Sequence, residues 1–214
     1  MGDVETLLWT DIPPPSEVRV DRPPALLLDR YVDASDAHVG AHAIVDALPT
    51  TTFTAARDLD FLTVHSPLMD SAMWVRGLPA RLRRTEAPEI ASMVLGHGET
   101  IPGWSVLAER AGHEIVFGAI GVFWTPQISW HDPVPPEKFA GFFDPGWGKI
   151  ACNFSVLPYG THRSLLTYEC RTLTTDAESR QRFLRYWRLI RPFVSHIMGA
   201  TVQTIQEHAE TPTG

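Results

Sequence analysis

The sequence has only two cysteines, Cys152 and Cys170, among its 214 residues. Two thiols cannot form a disulfide framework or the four-ligand cluster of a structural zinc site. We interpret them as two small buried thiols, because a reducing compartment would oppose a cross-strand disulfide. Cysteine pairing and cysteine-bound metal are therefore not expected to hold this fold together.

The chain also lacks a positive net charge and a long apolar run. Its 18 Lys and Arg against 25 Asp and Glu give a formal net charge of −7, which argues against general nucleic-acid binding. No stretch approaches the roughly 18 apolar residues of a membrane-spanning helix. The N-terminal residues show no positive segment followed by an apolar core, so we predict no signal peptide and expect a cytoplasmic protein.

Sequence motifs of several enzyme classes are absent. There is no G-x-S-x-G elbow, no P-loop and no dinucleotide-binding G-x-G-x-x-G. His38 and His42 have a helical ligand spacing but lie on a predicted loop and strand, so we predict no metal site and no cofactor. Two predicted loops pair a histidine with a carboxylate, in "GHGE" and "SWHDP". His97, His131 and Asp132 are therefore the candidate acid–base residues.

Proline is abundant at the N-terminus. Residues 1–36 contain Pro13, Pro14, Pro15, Pro23 and Pro24, and this composition predicts an extended arm with a short helix at "ALLLDRY". We predict that residues 37–210 form a single domain and that the arm wraps around it.

The remaining pattern alternates between strand and helix periodicity. Predicted elements are a strand at 39–47, two helices in "LPTTTFTAARDLDFL" and "SPLMDSAMWVRGLPARLRR", strands in "WSVLAER", "HEIVFGAIGVFW", "WGKIACNFSVL" and "RSLLTYECRTL", and a long C-terminal helix. Because short turns join consecutive strands, the sheet must be antiparallel. The fold class is α+β, with the last helix laid against the sheet.

The C-terminal helix begins in "TTDAESRQRFLRYWRLIRPF". Thr175 and Glu178 have the spacing of a capping box. Seven residues at helical spacing predict one buried stripe: Phe183, Trp187, Ile190, Val194, Ile197, Thr201 and Ile205. We therefore expect Trp187→Ala to cost roughly 3–5 kcal/mol. The arginines face away as a solvated surface rather than a nucleic-acid arm or membrane helix, and Pro192 predicts a kink.

The element order and two stretches, "VLAERAGHEIVFGAIGVFW" and "FDPGWGKIACNFSVLPYGTHRSLLTYECRTLTTDAESRQRFLRYWRLIRPF", resemble an uncharacterised bacterial branch of the START/polyketide-cyclase (SRPBCC) superfamily. The resemblance covers about residues 38–208. It implies the helix-grip fold: a curved antiparallel sheet wrapped around a long C-terminal helix, with two short helices after the first strand. Superfamily members bind lipids, sterols, hormones or aromatic polyketides in a cavity between sheet and helix, and a few are enzymes.

Strand alternation and the helical stripe predict which side chains would line such a cavity. The candidate ligand-binding residues are Phe117, Phe123, Phe154, Tyr168, Phe183, Trp187 and Ile190. We favour binding of an apolar or aromatic small molecule, lipid-like or polyketide-like, because the sequence offers no convincing catalytic set. Three alternatives stay open: a cyclase- or dehydratase-type enzyme using the same cavity, a filled core without a ligand, and an interaction protein that forms a homodimer through its arm.

Overall fold

A computed structural model describes residues 25–61, 64, 103–125 and 127–211. Its strands are β1 (Ala37–Val45), β2 (Trp104–Arg110), β3 (Glu114–Val122), β4 (Ser129–Trp130), β5 (Gly148–Tyr159) and β6 (Arg163–Thr174). Its helices are α1 (Pro49–Arg57), α2 (Pro136–Phe139) and α3 (Ala177–Glu210), preceded by a 3₁₀ turn at Leu28–Arg30. The second helix predicted after the first strand lies outside the described residues. No helix in the described ranges is long and apolar enough to cross a membrane.

The described strands form one curved antiparallel sheet in the order β1-β6-β5-β3-β2, with the short β4 beside β3. Two of its connections are tight turns at Gly112 and Gly160, where φ is +75° and +74°, values that favour glycine. The long helix α3 packs against the sheet, chiefly against β1 and β6. The predicted α+β fold class, with a curved antiparallel sheet and a long C-terminal helix against it, is confirmed.

Both faces of the sheet are covered, which explains why eight of the nine residues of β3 are buried. The inner face packs against α1 and α3. The outer face packs against the segment around the 3₁₀ turn and against α2. The buried residues of this outer layer are Leu27, Leu28, Val32, Leu107, Val116, Ile120, Phe139 and Ala151.

A buried carboxyl group ties the N-terminal segment to the outer face. Glu114 is 2% exposed and accepts hydrogen bonds from the backbone N–H groups of Leu27 (2.7 Å) and Leu28 (3.2 Å), and from Asn153 Nδ2 (2.7 Å). The carboxyl group therefore satisfies donors at the start of the 3₁₀ turn that no local residue satisfies. The division between an arm at 1–36 and a domain at 37–210 stays a prediction.

A second link uses the outer face of β6. Arg171 donates to Glu169 (2.6 Å), to Asp29 (2.8 Å) and to the backbone carbonyl of Val32 (2.8 Å). Glu169 and Arg171, two residues apart on one strand face, form an ion pair. These hydrogen bonds and the attraction of both carboxylates raise the pKa of Arg171 against the opposing effect of desolvation.

The start of α3 differs from the predicted capping box by one residue. Asp176 is the N-cap, because its carboxylate accepts from the Ser179 N–H (2.9 Å) and the Ser179 hydroxyl (2.7 Å). Thr175 instead exchanges hydrogen bonds with Trp147, one step beyond the last β5–β6 pair. The strand pairing thus extends through Thr175, which is why this residue cannot cap the helix.

The other helical segments also have local features that the sequence pattern did not specify. Helix α1 has Leu48 as its N-cap without a side-chain hydrogen bond, and Pro49 occupies its first turn. The helix expected at "ALLLDRY" is only the 3₁₀ turn. Helix α3 runs as one element of 34 residues through Pro192, which leaves the Arg188 carbonyl without its helical N–H partner. A kink at Pro192 stays a prediction.

Glu114→Ala should destabilise the protein by about 3 kcal/mol or more, because three buried N–H donors lose their acceptor. Glu137→Ala, at an exposed glutamate, is the control and should stay within about 0.5 kcal/mol of wild type. Urea unfolding measures both effects, and equal midpoints for the two variants would contradict the structural role of Glu114.

Candidate functional site

The inner face of the sheet carries an aromatic cluster. Phe117 from β3, Phe154 from β5 and Tyr168 from β6 all point to the α3 side, as strand alternation predicts. Their ring centroids lie 5.6 Å apart for Phe117 and Phe154, 4.6 Å for Phe154 and Tyr168, and 6.3 Å for Phe117 and Tyr168. Three of the seven candidate ligand-binding residues therefore form one contiguous surface.

Two further aromatic rings extend this surface. Phe61, which follows α1, lies 6.1 Å from Phe154, and Trp104 at the start of β2 lies 5.7 Å from Phe117. Trp104, Val106 and Ile150 belong to the same inner face but are only partly buried. Solvent therefore reaches part of the sheet surface that faces the helix.

The two cysteines are direct cross-strand partners on this inner face, and both are free and buried. Burial raises the pKa of the Cys152 thiol well above its usual value, and the neighbouring Cys170 adds to the effect. Burial likewise raises the pKa of the Tyr168 hydroxyl. Cys152 and Tyr168 therefore stay protonated near neutral pH, so Cys152 is not an activated nucleophile and Tyr168 offers a neutral hydroxyl.

The apolar stripe of α3 is buried at its two ends and exposed in its middle. Phe183, Thr201 and Ile205 are buried, whereas four residues between them are only partly buried: Trp187, Ile190, Val194 and Ile197. The expectation of an unbroken buried stripe is wrong for this middle part. Helical periodicity predicts which side of a helix is apolar but not how fully the sheet covers it, and between the two buried ends of α3 this cover is incomplete.

A cleft of about 970 Å³ lies beside the first three turns of α3, rather than under the middle of the helix. Its lining residues are Val122, Trp124, Thr125, Pro145, Gly146, Asp176, Glu178, Ser179, Arg182, Arg185, Tyr186 and Leu189. Phe183 connects it to the stripe, because its ring lies 6.2 Å from Trp124 and 5.9 Å from Trp187. Phe183 is buried and does not line the cleft, so it links cleft and stripe by packing and not as an exposed surface.

Both carboxylates of the cleft are engaged within the protein. Asp176 accepts three hydrogen bonds, including one from the Gly146 N–H at 2.7 Å, and the N–H groups of Ser179 and Gly146 lower its pKa to about 2. Glu178 pairs with Arg182 at 2.5 Å.

Arg185 is the other cationic side chain of the cleft. Among the described residues it donates only its Nε, to the Gln181 carbonyl at 3.3 Å. Within the described part of the cleft, the two terminal nitrogens of Arg185 therefore form the cationic group that has no hydrogen-bond or ion-pair partner.

The remaining candidates lie apart from the inner aromatic cluster. Phe123 is buried against Trp124 and Trp130 at the end of β3. His131 lies between the rings of Phe142 and Trp147, each 5.0 Å away, and both rings pack against the outer-face core.

Among the described candidates, His131 therefore lies with the outer-face residues and not on the side of the sheet that α3 covers. His131 Nδ1 lies 2.7 Å from the Asp132 backbone carbonyl, and Asp132 itself is exposed. His97 lies outside the described residues, and an acid–base role for all three stays a prediction. Within the described ranges, no group of three or more His, Cys, Asp or Glu is placed to hold a metal ion, and His38 contacts Glu169 at 3.1 Å.

The sequence interpretation missed the residues of the cleft wall, although a signal for them exists. Tyr186, Leu189 and Phe193 form a second apolar row at helical spacing beside the stripe. Leu189 is 74% exposed and Phe193 is 43% exposed, so this row is not covered by the sheet. A helix with two adjacent apolar rows has more apolar surface than one sheet contact needs.

No protein-family model and no curated protein sequence matches this chain. Two solved structures show a distant likeness. A Thermus thermophilus protein is 12% identical with a TM-score of 0.33, over 81% of this chain and 97% of its own. The Zhui aromatase/cyclase from a Streptomyces species is 14% identical with a TM-score of 0.26, over 81% of this chain and 93% of its own. Similarities this distant do not establish a family, and membership of the START/polyketide-cyclase superfamily stays a prediction.

Phe183→Ala should cost roughly 3–5 kcal/mol, because the ring is 2% exposed and contacts two tryptophans. Trp187→Ala should cost only roughly 1–2 kcal/mol, since its ring is partly exposed and loses less buried area. This replaces the larger loss expected for Trp187 from the sequence. Urea unfolding of both variants provides the comparison, and an equal loss would show that Trp187 is as buried as Phe183.

Asp176→Asn should lower the melting temperature by a few degrees at neutral pH, because an amide group cannot accept at both former oxygens. The folded-state pKa of Asp176, about 2, lies below its ordinary value of 3.8. Its contribution to stability is therefore complete above pH 3.8 and is lost as the pH falls toward 2.

Thermal unfolding between pH 5 and pH 2 should consequently show a shallower acid decline for Asp176→Asn than for wild type. Asp144→Asn, at an exposed loop aspartate, is the matched control and should follow wild type. Parallel declines in all three proteins would refute the assigned role of Asp176.

Proposed function

We propose that the protein binds an apolar or aromatic small molecule, lipid-like or polyketide-like, between the inner face of the sheet and α3. The observation that supports this is the partial exposure of apolar side chains on both sides of that space. Trp104 and Ile150 contribute from the sheet, and Trp187 and Ile190 contribute from the helix. A filled core would have removed these surfaces from water.

The energetics favour an apolar ligand. Each Å² of apolar surface removed from water contributes about 25 cal/mol, so a molecule covering these rings gains affinity without further ordering of the sheet. Among the seven candidate ligand-binding residues, only Tyr168, with its hydroxyl, and Trp187, with its indole N–H, carry a polar side-chain group. An apolar surface with a few polar groups is the usual composition of a small-molecule site.

A cyclase- or dehydratase-type enzyme is the second candidate and is less well supported. Such chemistry needs an acid or base that exchanges protons near neutral pH. On the inner face, burial raises the pKa values of Cys152 and Tyr168 away from that range. His131 packs with residues of the outer layer. We therefore favour binding over catalysis for the described residues.

Homodimer formation through the arm is the third hypothesis. The described part of the predicted arm packs on the outer face of its own sheet through Leu27, Leu28 and Val32. Among the described residues of the arm, these three side chains are therefore used within one chain, and homodimer formation stays a prediction.

Binding can be tested with the neutral fluorescent probe N-phenyl-1-naphthylamine. Wild type should enhance its emission, and Ile150→Trp should weaken its binding about tenfold or more, because a larger side chain would occupy the space beside α3. Ile44→Trp is the matched control, since Ile44 is exposed on β1 and should leave binding unchanged.

Far-UV circular dichroism would verify that both variants fold. The proposal fails if wild type does not bind the probe, or if a folded Ile150→Trp binds it as tightly as wild type. Native mass spectrometry of freshly purified protein would add the mass of any apolar molecule retained from the cell.

A further inference from the structure

We infer that the small molecule carries an acidic group, and that Arg185 binds this group in the cleft beside the start of α3. This inference rests on the proposed function and adds the chemical class of the ligand: an aromatic or apolar acid. Its basis is the charge balance of the cleft, the composition of the cleft walls and the packing of Phe183 between the cleft and the partly buried stripe.

The charge balance identifies Arg185. Among the described residues, four charged side chains line the cleft, and three of them have partners inside the protein: Asp176 with its three donors, and Glu178 with Arg182. Arg185 keeps its two terminal nitrogens without a partner among the described residues, because only its Nε is used. A planar guanidinium with both terminal nitrogens unengaged matches the two oxygens of a carboxylate.

The walls around this charge are apolar and aromatic. Trp124, Tyr186 and Leu189 line the cleft, and Leu189 is 74% exposed. The cleft volume of about 970 Å³ is within the usual range for small-molecule sites. Behind this wall, the buried ring of Phe183 packs against Trp124 of the cleft and against Trp187 of the partly buried stripe. An aromatic body would stack on the wall while its acidic group faced Arg185.

The apolar body and the acidic group of the ligand make different contributions to binding. Arg185 is exposed, and an exposed ion pair contributes only about 0–1 kcal/mol by itself. Affinity must therefore come mainly from the apolar body. The arginine distinguishes an acid from a neutral molecule of the same shape, and its effect increases when the bound ring excludes water from the pair.

The test compares 2-naphthoate with 2-naphthamide, which have nearly the same shape and differ in charge. Isothermal titration calorimetry at low salt would measure both with wild type, Arg185→Gln and Arg188→Gln. Arg188 is also exposed on α3 and does not line the cleft, so it is the matched control. We expect wild type and Arg188→Gln to bind the acid about five- to tenfold tighter than the amide.

Arg185→Gln should lose this preference by weakening the acid and leaving the amide unchanged. Equal binding of acid and amide by wild type, or an unaltered preference in a folded Arg185→Gln, would overturn the inference. In those cases the proposed function still stands if N-phenyl-1-naphthylamine binds. Loss of preference in Arg188→Gln as well would show a general charge effect and would also overturn it. Failure of wild type to bind any of the three probes would remove both proposals.

Discussion

The position at which α3 begins depends on a small set of hydrogen bonds. Thr175 and Asp176 bond to the backbone of Trp147 and Gly146, the two residues that precede β5. One set of contacts therefore joins the start of the central hairpin to the start of the helix that follows it. It fixes where the helix leaves the sheet, and it brings the Gly146 turn against the first turns of the helix. The cleft exists because these segments meet there.

The proposed space for a ligand follows from the contacts that attach the two ends of α3 to the rest of the protein. At the N-terminal end Ser179 and Phe183 are buried, and Arg180 pairs with Asp36 at 2.7 Å. At the C-terminal end Met198, Thr201, Val202, Ile205 and Ala209 are buried. Between these ends the helix carries apolar side chains that the sheet does not fully cover. The proposed ligand space would thus follow from a long helix attached at both ends, without a separate ligand-binding element.

Much of the fold was predictable from local pattern, because period-2 alternation and glycine turns report directly on strands and hairpins. The inward set of Phe117, Phe154 and Tyr168 follows from that alternation. Helical periodicity reports only which side of a helix is apolar. It does not report what covers that side, and the half-exposed middle of α3 was missed for this reason. The bonds from Glu114 to Leu27 and Leu28 join residues far apart in sequence, so no local pattern could reveal them.

Pro192 lies close to the midpoint of α3, between the two buried ends. A helix that is attached at both ends and lacks one backbone hydrogen bond near its centre bends more easily than it separates from the sheet. Motion of this kind would change the separation of helix and sheet where the apolar side chains are half-exposed, while both attachments stay intact. If a ligand binds between sheet and helix as proposed, the missing hydrogen bond at Pro192 would let their separation adjust to molecules of different width without opening the core.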